Sequence, residues 1–122
     1  MVLCDTNVFI HAFNGQQAVI NRLQEIGFEQ IALSVITVME LYQGMSNKTE
    51  LAQMKKRLKY YDFVDIDTET SKLATNLIEK FRLSHHLQIP DAIIGATAVV
   101  HQIPFYTYNT KDFDFIPGIQ LI

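Results

Sequence analysis

Cysteine is almost absent: the 122-residue chain has one, Cys4. A lone thiol rules out an internal disulfide and points to a reducing compartment. Its place inside an apolar run suits a small core residue better than a nucleophile. Charge of one sign is also lacking. Thirteen acidic against ten basic residues leave a net charge of -3, which demands no partner and argues against a general polyanion binder. Long hydrophobic runs are missing: the longest, Ala92 to Val100, is about half of the ~20 residues that a membrane-spanning helix needs. No basic stretch precedes the first apolar run, so no secretory leader is read. His85 and His86 have no cysteine nearby and no second histidine at i+4, which argues against zinc. No repeats, linkers or low-complexity segments interrupt the chain. What remains is a single domain. At 48% hydrophobic and 19% charged residues it has a globular composition, and the expectation is a soluble cytoplasmic protein with no membrane partner.

The chain is organised around its beginning. Val2-Leu3-Cys4 runs into Asp5-Thr6-Asn7 before apolar residues resume, which predicts a buried strand ending at Asp5 and a helix capped by Asp5, Thr6 or Asn7. Asp5 taken alone is more simply a helix cap. Val19, Ile20, Leu23 and Ile26 recur at helical spacing, with Gly27 as the stop. Ile31-Ala32-Leu33 reads as a second strand. Ser34 then caps a helix over Val35 to Met45 that carries Glu40, and a solvent-facing glutamate is the plain alternative there. Asn47 or Thr49 caps the next helix, whose narrow stripe is Leu51, Met54 and Leu58. Met39, Tyr42 and Met45 add to that apolar surface, which is either core or a protein contact. Lys55, Lys56, Arg57 and Lys59 form the only basic run. It reads as a solvated helix face or as a phosphate-contacting patch.

Phe63 to Ile66 is the expected third strand, and Thr68 or Thr70 starts a helix with Leu73, Ala74, Leu77, Ile78 and Phe81 on one face. Pro90 and Asp91 suit the first turn of another helix, apolar almost all round and therefore buried. Asp91 is expected to be less hydrated than Asp5, Glu40 and Asp112. Phe105 to Tyr108 is a fourth strand, Asn109 to Phe113 the polar loop leaving it, and Ile119 to Ile122 a last short strand. The order β-α-α-β-α-α-β-α-α-β-β predicts an α/β fold with a central, mostly parallel sheet flanked by helices.

In such a sheet the crevice beyond the carboxyl ends of the strands is where ligands bind. Asp5, Asp91 and Asp112 converge there, with Glu40 supplied from a neighbouring helix. Acids that converge without basic partners take up a proton or a cation. An all-oxygen set suits Mg²⁺ or Mn²⁺, which can activate water and stabilise a leaving oxygen in phosphodiester cleavage. Thr6 and Asn109 could orient the carboxylates or the substrate.

Asp5-Thr6-Asn7, the acid within Ser34 to Leu41, Pro90-Asp91-Ala92, and Thr107-Tyr108-Asn109-Thr110-Lys111-Asp112-Phe113 together resemble the PIN-domain nucleases. Chain length and the Phe113…Ile116-Pro117-Gly118 ending resemble the VapC-type toxins of prokaryotic toxin–antitoxin pairs. The resemblance covers essentially the whole chain, residues 1–122. It implies a Mg²⁺- or Mn²⁺-dependent endoribonuclease acting on structured RNA such as tRNA or rRNA. It also implies a homodimer neutralised by a cognate antitoxin. By position, Asp5 and Asp91 would be the main metal ligands and Glu40 would complete the site or help activate water. Asp112 would be the fourth acid, with Asn109 competing for that role.

Two other readings start from the same residues. A phospho-receiver domain is also a small α/β fold with an acidic Mg²⁺ pocket, and Asp65 or Asp67 after the third strand with a late Lys111 would serve it. A PIN fold used only as a binding module is the other.

Overall fold

The computed structural model describes residues 1–122. Strands β1 (Val2–Cys4), β2 (Ile31–Ser34), β3 (Asp62–Val64) and β4 (Phe105–Tyr106) form one sheet in the order β3-β2-β1-β4, with every neighbouring pair parallel. Six helices connect them: α1 (Thr6–Phe13), α2 (Gln17–Ile26), α3 (Val35–Gln43), α4 (Lys48–Leu58), α5 (Thr68–His85) and α6 (Ile89–Val100). None is long and apolar enough to cross a membrane.

Strand side chains alternate between two faces, and here the alternation separates two cores. Leu3, Ala32 and Phe105 face one way, into a cluster with Ala74 and Leu77 of α5, Ile94 and Ala98 of α6, and Phe113 and Ile116. Cys4, Ile31, Leu33 and Tyr106 face the other way, against Val8 and Phe9 of α1, Val38 and Leu41 of α3, and Met54 and Leu58 of α4. Cys4 is fully buried, as a core residue should be. Helix α6 carries six buried residues from Ala92 to Ala98. At Gly95 an added Cβ would come within 2.6 Å of Ile116 Cδ1, so a larger residue there would force the Ile116 side chain to shift.

The structure decides between the alternatives expected at the starts of two helices and shifts the strand boundaries. Asn47 caps α4, accepting from the Glu50 N–H at 2.9 Å. Helix α5 starts at Thr68, one of the two expected starts, and Asp67 caps it, accepting from the Thr70 N–H at 2.8 Å. A carboxylate is the stronger acceptor at that position. Helix α5 runs through His85, and His86 ends it in the left-handed region at φ 56°. Strand β3 sits one residue early and stops at Val64, while β4 is only two residues long. The last segment is not a full strand. Leu121 makes a single parallel bridge to Phe105, because the chain is held mainly by Phe113 and Ile116 in the core.

The centre of the sheet positions the site. Successive crossovers place β2 on one side of β1, and β4 returns on the other. A crevice opens at such a switch point, beyond the carboxyl ends of β1 and β4.

Candidate active site

One residue, Asp5, separates the end of β1 from the start of α1. It is 4% exposed, so it must be held by hydrogen bonds. Oδ1 accepts from the Thr6 N–H at 2.8 Å, and Oδ2 accepts from Thr107 Oγ1 at 2.8 Å, across the junction of β1 and β4. Thr107 Oγ1 in turn accepts from the Asn109 N–H at 3.0 Å. Asp5 is therefore both a helix cap and a wall of the crevice. Burial pushes its carboxyl above the usual range. The bonds from Thr107 and Thr6 oppose that shift, and the nearby charges of Glu40 and Asp112 add to it.

Glu40 comes from α3, whose start is fixed by Ser34 Oγ accepting from the Ile36 N–H at 3.2 Å. Thr6 Oγ1 lies 2.8 Å from Glu40 Oε1 and 3.0 Å from Thr37 Oγ1. A hydroxyl has one proton and a carboxylate can only accept, so Thr6 donates to Glu40 and Thr37 donates to Thr6. Thr37 is fully buried. It stands three residues before Glu40, on the same helix face. This hydroxyl chain pins one oxygen of Glu40 and leaves the other without a protein partner.

Asp91 lies in the first turn of α6, where Gln88 supplies no side-chain cap. No protein group donates to its carboxylate. Burial, then the charges of Asp5, Asp112 and Glu40, push it up to about 7. Asp91 is half-buried, and Asp5 is the less hydrated of the two, contrary to the expectation from the apolarity of α6. The first turn of a helix opens onto the crevice even when the rest of the helix is core. Asp112 closes a 3-10 turn over Thr110–Asp112 in the loop after β4.

Asp5, Glu40, Asp91 and Asp112 line one cleft of about 420 Å³, together with Thr6, Asn7, Ile10, Gln43, Gly44 and Asn109. The chain has two ion pairs, Arg22–Glu25 and His101–Asp67, and neither involves these acids. Every donor is oxygen and no cation neutralises them, which fits a hard divalent ion. No three acidic groups stand close enough to form a full ligand set by themselves. Such an ion would therefore keep several waters, as Mg²⁺ does.

Other predicted residues fall elsewhere. Lys55, Lys56, Arg57 and Lys59 are exposed on or just after α4. None of them lines the acidic cleft, and Arg57 lines a neighbouring one of about 510 Å³ that shares Ile10, Glu40 and Gly44 with the first. Its guanidinium sits 5.1 Å from the Phe13 ring centre. The apolar set over α3 and α4 divides: Met54 and Leu58 are core, Tyr42, Met45 and Leu51 half-buried, and Met39 55% exposed. Asp65 and Asp67 do not reach the acidic cleft, and Asp67 is occupied as a cap. Strand β3 lies at the sheet edge, away from β1 and β4, which removes the phospho-receiver reading. Thr37, Gln43 and Gly44 carried no role in the sequence reading. Their signal was present as spacing of three or four residues from Glu40. Thr107 stood in a recognised motif, but nothing local marked it as the partner of Asp5.

Comparison with known proteins agrees with this architecture. The PIN domain family model matches residues 2–118. The ribonuclease VapC1 of Methanocaldococcus jannaschii is 30% identical over 117 residues, covering 93% of this chain and 79% of that protein. The ribonuclease VapC19 of Mycobacterium tuberculosis is 27% identical over 123 residues, covering 98% of both. Among solved structures, a chain of a toxin–antitoxin complex from Klebsiella pneumoniae superposes with a TM-score of 0.83 at 32% identity, covering 100% of this chain and 96% of that one. With the parallel sheet, the acid-lined switch point and a match over nearly its whole length, the chain belongs to the PIN-domain family, in its VapC-type branch.

Proposed function

We propose that this protein is a metal-dependent endoribonuclease, the toxin of a type II toxin–antitoxin pair, hydrolysing phosphodiester bonds in structured RNA such as tRNA or rRNA. One observation carries the reading: four carboxylates from four parts of the chain line one cleft without a single basic partner. The names of the relatives and the toxin–antitoxin complexes among the similar structures support it. Asp5 and Asp91 would be the main ligands of Mg²⁺ or Mn²⁺, with Asp112 as the fourth acid. A cation held there supplies charge neutralisation at the phosphate and eases deprotonation of an attacking water.

The chain's own residues account for the rest. Glu40, fixed through Oε1 by Thr6, has a second oxygen free to accept a proton from water. Thr107 holds Asp5 in one rotamer, so the acid does not swing away when charge develops nearby. The half-exposed residues Tyr42, Met45 and Leu51 and the exposed Met39 offer a contact for a second copy or for a cognate antitoxin. As such a toxin the protein would act in the cytoplasm as a homodimer.

Purified protein incubated with cellular RNA should cut in Mg²⁺ or Mn²⁺ and stop in EDTA. Asp5→Asn should lose most of the activity, since an amide is a poor hard-metal ligand. Equal cleavage in EDTA would sink the reading. Metal binding without any cleavage would leave a binding module instead.

A further inference from the structure

A chain of net charge -3 must hold a polyanion with little help from cations. Phosphate neutralisation usually supplies most of non-specific RNA affinity, yet no lysine or arginine lines the acidic cleft, and of the basic run Lys55, Lys56, Arg57 and Lys59 it is Arg57 that reaches the neighbouring one. On the side of the acidic cleft formed by α1 and the segment after β4, Lys111 is the single lysine or arginine, and two aromatic rings meet there.

Tyr108 is 45% exposed and directly precedes Asn109, a wall of the cleft. His11 lies one helical turn beyond Asn7, another wall residue, on the same face of α1. The two rings meet edge to face, with centres 5.5 Å apart at 85°. An exposed tyrosine ring is ordinarily free to change rotamer, but this one is tethered. Tyr106, which is 7% exposed, donates its hydroxyl to the Tyr108 hydroxyl at 2.7 Å. Tyr106 is itself backed by the Arg22 guanidinium, 5.7 Å from its ring centre. His11 Nδ1 accepts from Gln16 Nε2 at 3.1 Å, which fixes the imidazole. Both rings are thus held in place before any ligand arrives, so little rotamer freedom is lost on contact.

We propose that Tyr108 and His11 form a stacking shelf for one unpaired RNA base, next to the phosphate held in the acidic cleft. The inference rests on the nuclease reading for the identity of the ligand. Every base offers a π-face, so the shelf is tolerant of sequence and needs no positive charge. It does require an unstacked base, and so selects loops or single strands over duplex. That would let an acidic protein act on structured RNA at its unpaired positions.

The test measures binding of three end-labelled probes by fluorescence anisotropy, in Ca²⁺ and with gel electrophoresis checking that each probe stays intact: a short single-stranded RNA, the same sequence as a duplex, and a ribose-phosphate chain without bases. Wild-type protein should prefer the single strand. Tyr108→Ala should weaken it about tenfold, with no change for the base-free chain. Tyr108→Phe keeps the ring and should stay close to wild type, and His11→Ala should show a smaller loss. An unchanged affinity in Tyr108→Ala, or an equal loss on the base-free chain, overturns the shelf. Unchanged RNA binding with loss of a co-purifying antitoxin overturns it as well and makes the rings a protein contact. Circular dichroism checks that each variant is folded. The two readings fail separately. Cleavage with unchanged KM in Tyr108→Ala removes the shelf alone, and Tyr108-dependent RNA binding without cleavage removes the nuclease alone.

Discussion

Asp67 and Asp91 stand at the starts of two helices that pack against each other, and their chemistry is opposite. Asp67 precedes α5, accepts from the Thr70 N–H at 2.8 Å, and lies 3.1 Å from His101 Nε2 just beyond the end of α6. Those hydrogen bonds, with the His101 charge a smaller contribution, hold its carboxyl below the usual range. Asp91, in the first turn of α6, has no donor and faces three other acids, which with burial push it up to about 7. A helix N-terminus favours either carboxylate by only about 0.3–1 kcal/mol. The neighbours therefore decide the outcome. One acid is satisfied by the protein, and the other is left for something from outside.

The largest expected effect comes from making the same change at both places. Asp→Asn removes a charge while keeping the shape of the side chain. Asp91→Asn should lower cleavage by roughly 10²-fold or more, the scale on which a group that stabilises transition-state charge matters. Asp67→Asn should leave kcat and KM near wild type. Steady-state cleavage of one RNA by both variants decides it, and comparable losses would erase the contrast between the two helix starts.

The second effect is on stability without metal. A carboxyl raised in the native state keeps its proton to higher pH than it does in the unfolded chain. The unfolded state therefore releases its proton first, and stability falls as pH climbs from about 4 toward 7, then levels off. Asp5, also raised, contributes with the same sign. Melts of metal-free protein across that window should show the slope, and Asp91→Asn should flatten it. At neutral pH the variant should be more stable by roughly 2 kcal/mol, a figure reduced for solvent screening of a half-exposed group. Excess Mg²⁺ should reverse the ranking, since it stabilises the protein that binds it better. A variant that melts below wild type in EDTA would make Asp91 a structural cap like Asp67.

This contrast also measures what could be read in the sequence. The strand–acid–helix punctuation at Cys4-Asp5-Thr6 and the apolar run after Asp91 were legible, because burial and capping are local signals and fix the parallel sheet and its switch point. The cap of α5 was not: Asp67, Thr68 and Thr70 all suit the role, and only the observed backbone gives it to Asp67. Thr37 and Thr107 were missed for a related reason. Both hydroxyls work through bonds that span the chain, Thr37 by way of Thr6 of α1 to Glu40 and Thr107 directly to Asp5, and sequence distance conceals such bonds. The final strand was over-read because its apolar residues pack inward without completing a ladder.

A smaller effect separates the two polar groups of the last loop. Asp112 and Asn109 both line the cleft, and both are exposed. A charged oxygen supplies a field to a cation that an amide cannot. Asp112→Asn should therefore weaken Mn²⁺ affinity, read by calorimetry, more than Asn109→Ala does. The reverse order would make Asn109 the fourth ligand, with its backbone N–H bond to Thr107 setting the loop.

The smallest effect belongs to Asp67 itself. Asparagine caps a helix about as well as aspartate, whereas alanine leaves the orphan N–H groups unmet. Asp67→Asn should thus melt close to wild type at neutral pH, with only the weak exposed pairing to His101 lost. Asp67→Ala should melt lower by a few degrees. The sign with pH is opposite to that of Asp91. A carboxyl held below its usual range stabilises the fold above its unfolded pKa, and the contribution disappears as pH falls through its lowered native value. The two Asp67 variants should therefore differ from wild type in different ways in acid: Asn loses the charge at all pH values, whereas wild type loses it only on protonation. Neither variant should respond to Mg²⁺ differently from wild type. A metal-dependent shift in either would mean that the N-terminus of α5 is coupled to the acidic cleft, and the separation between the two aspartates would not hold.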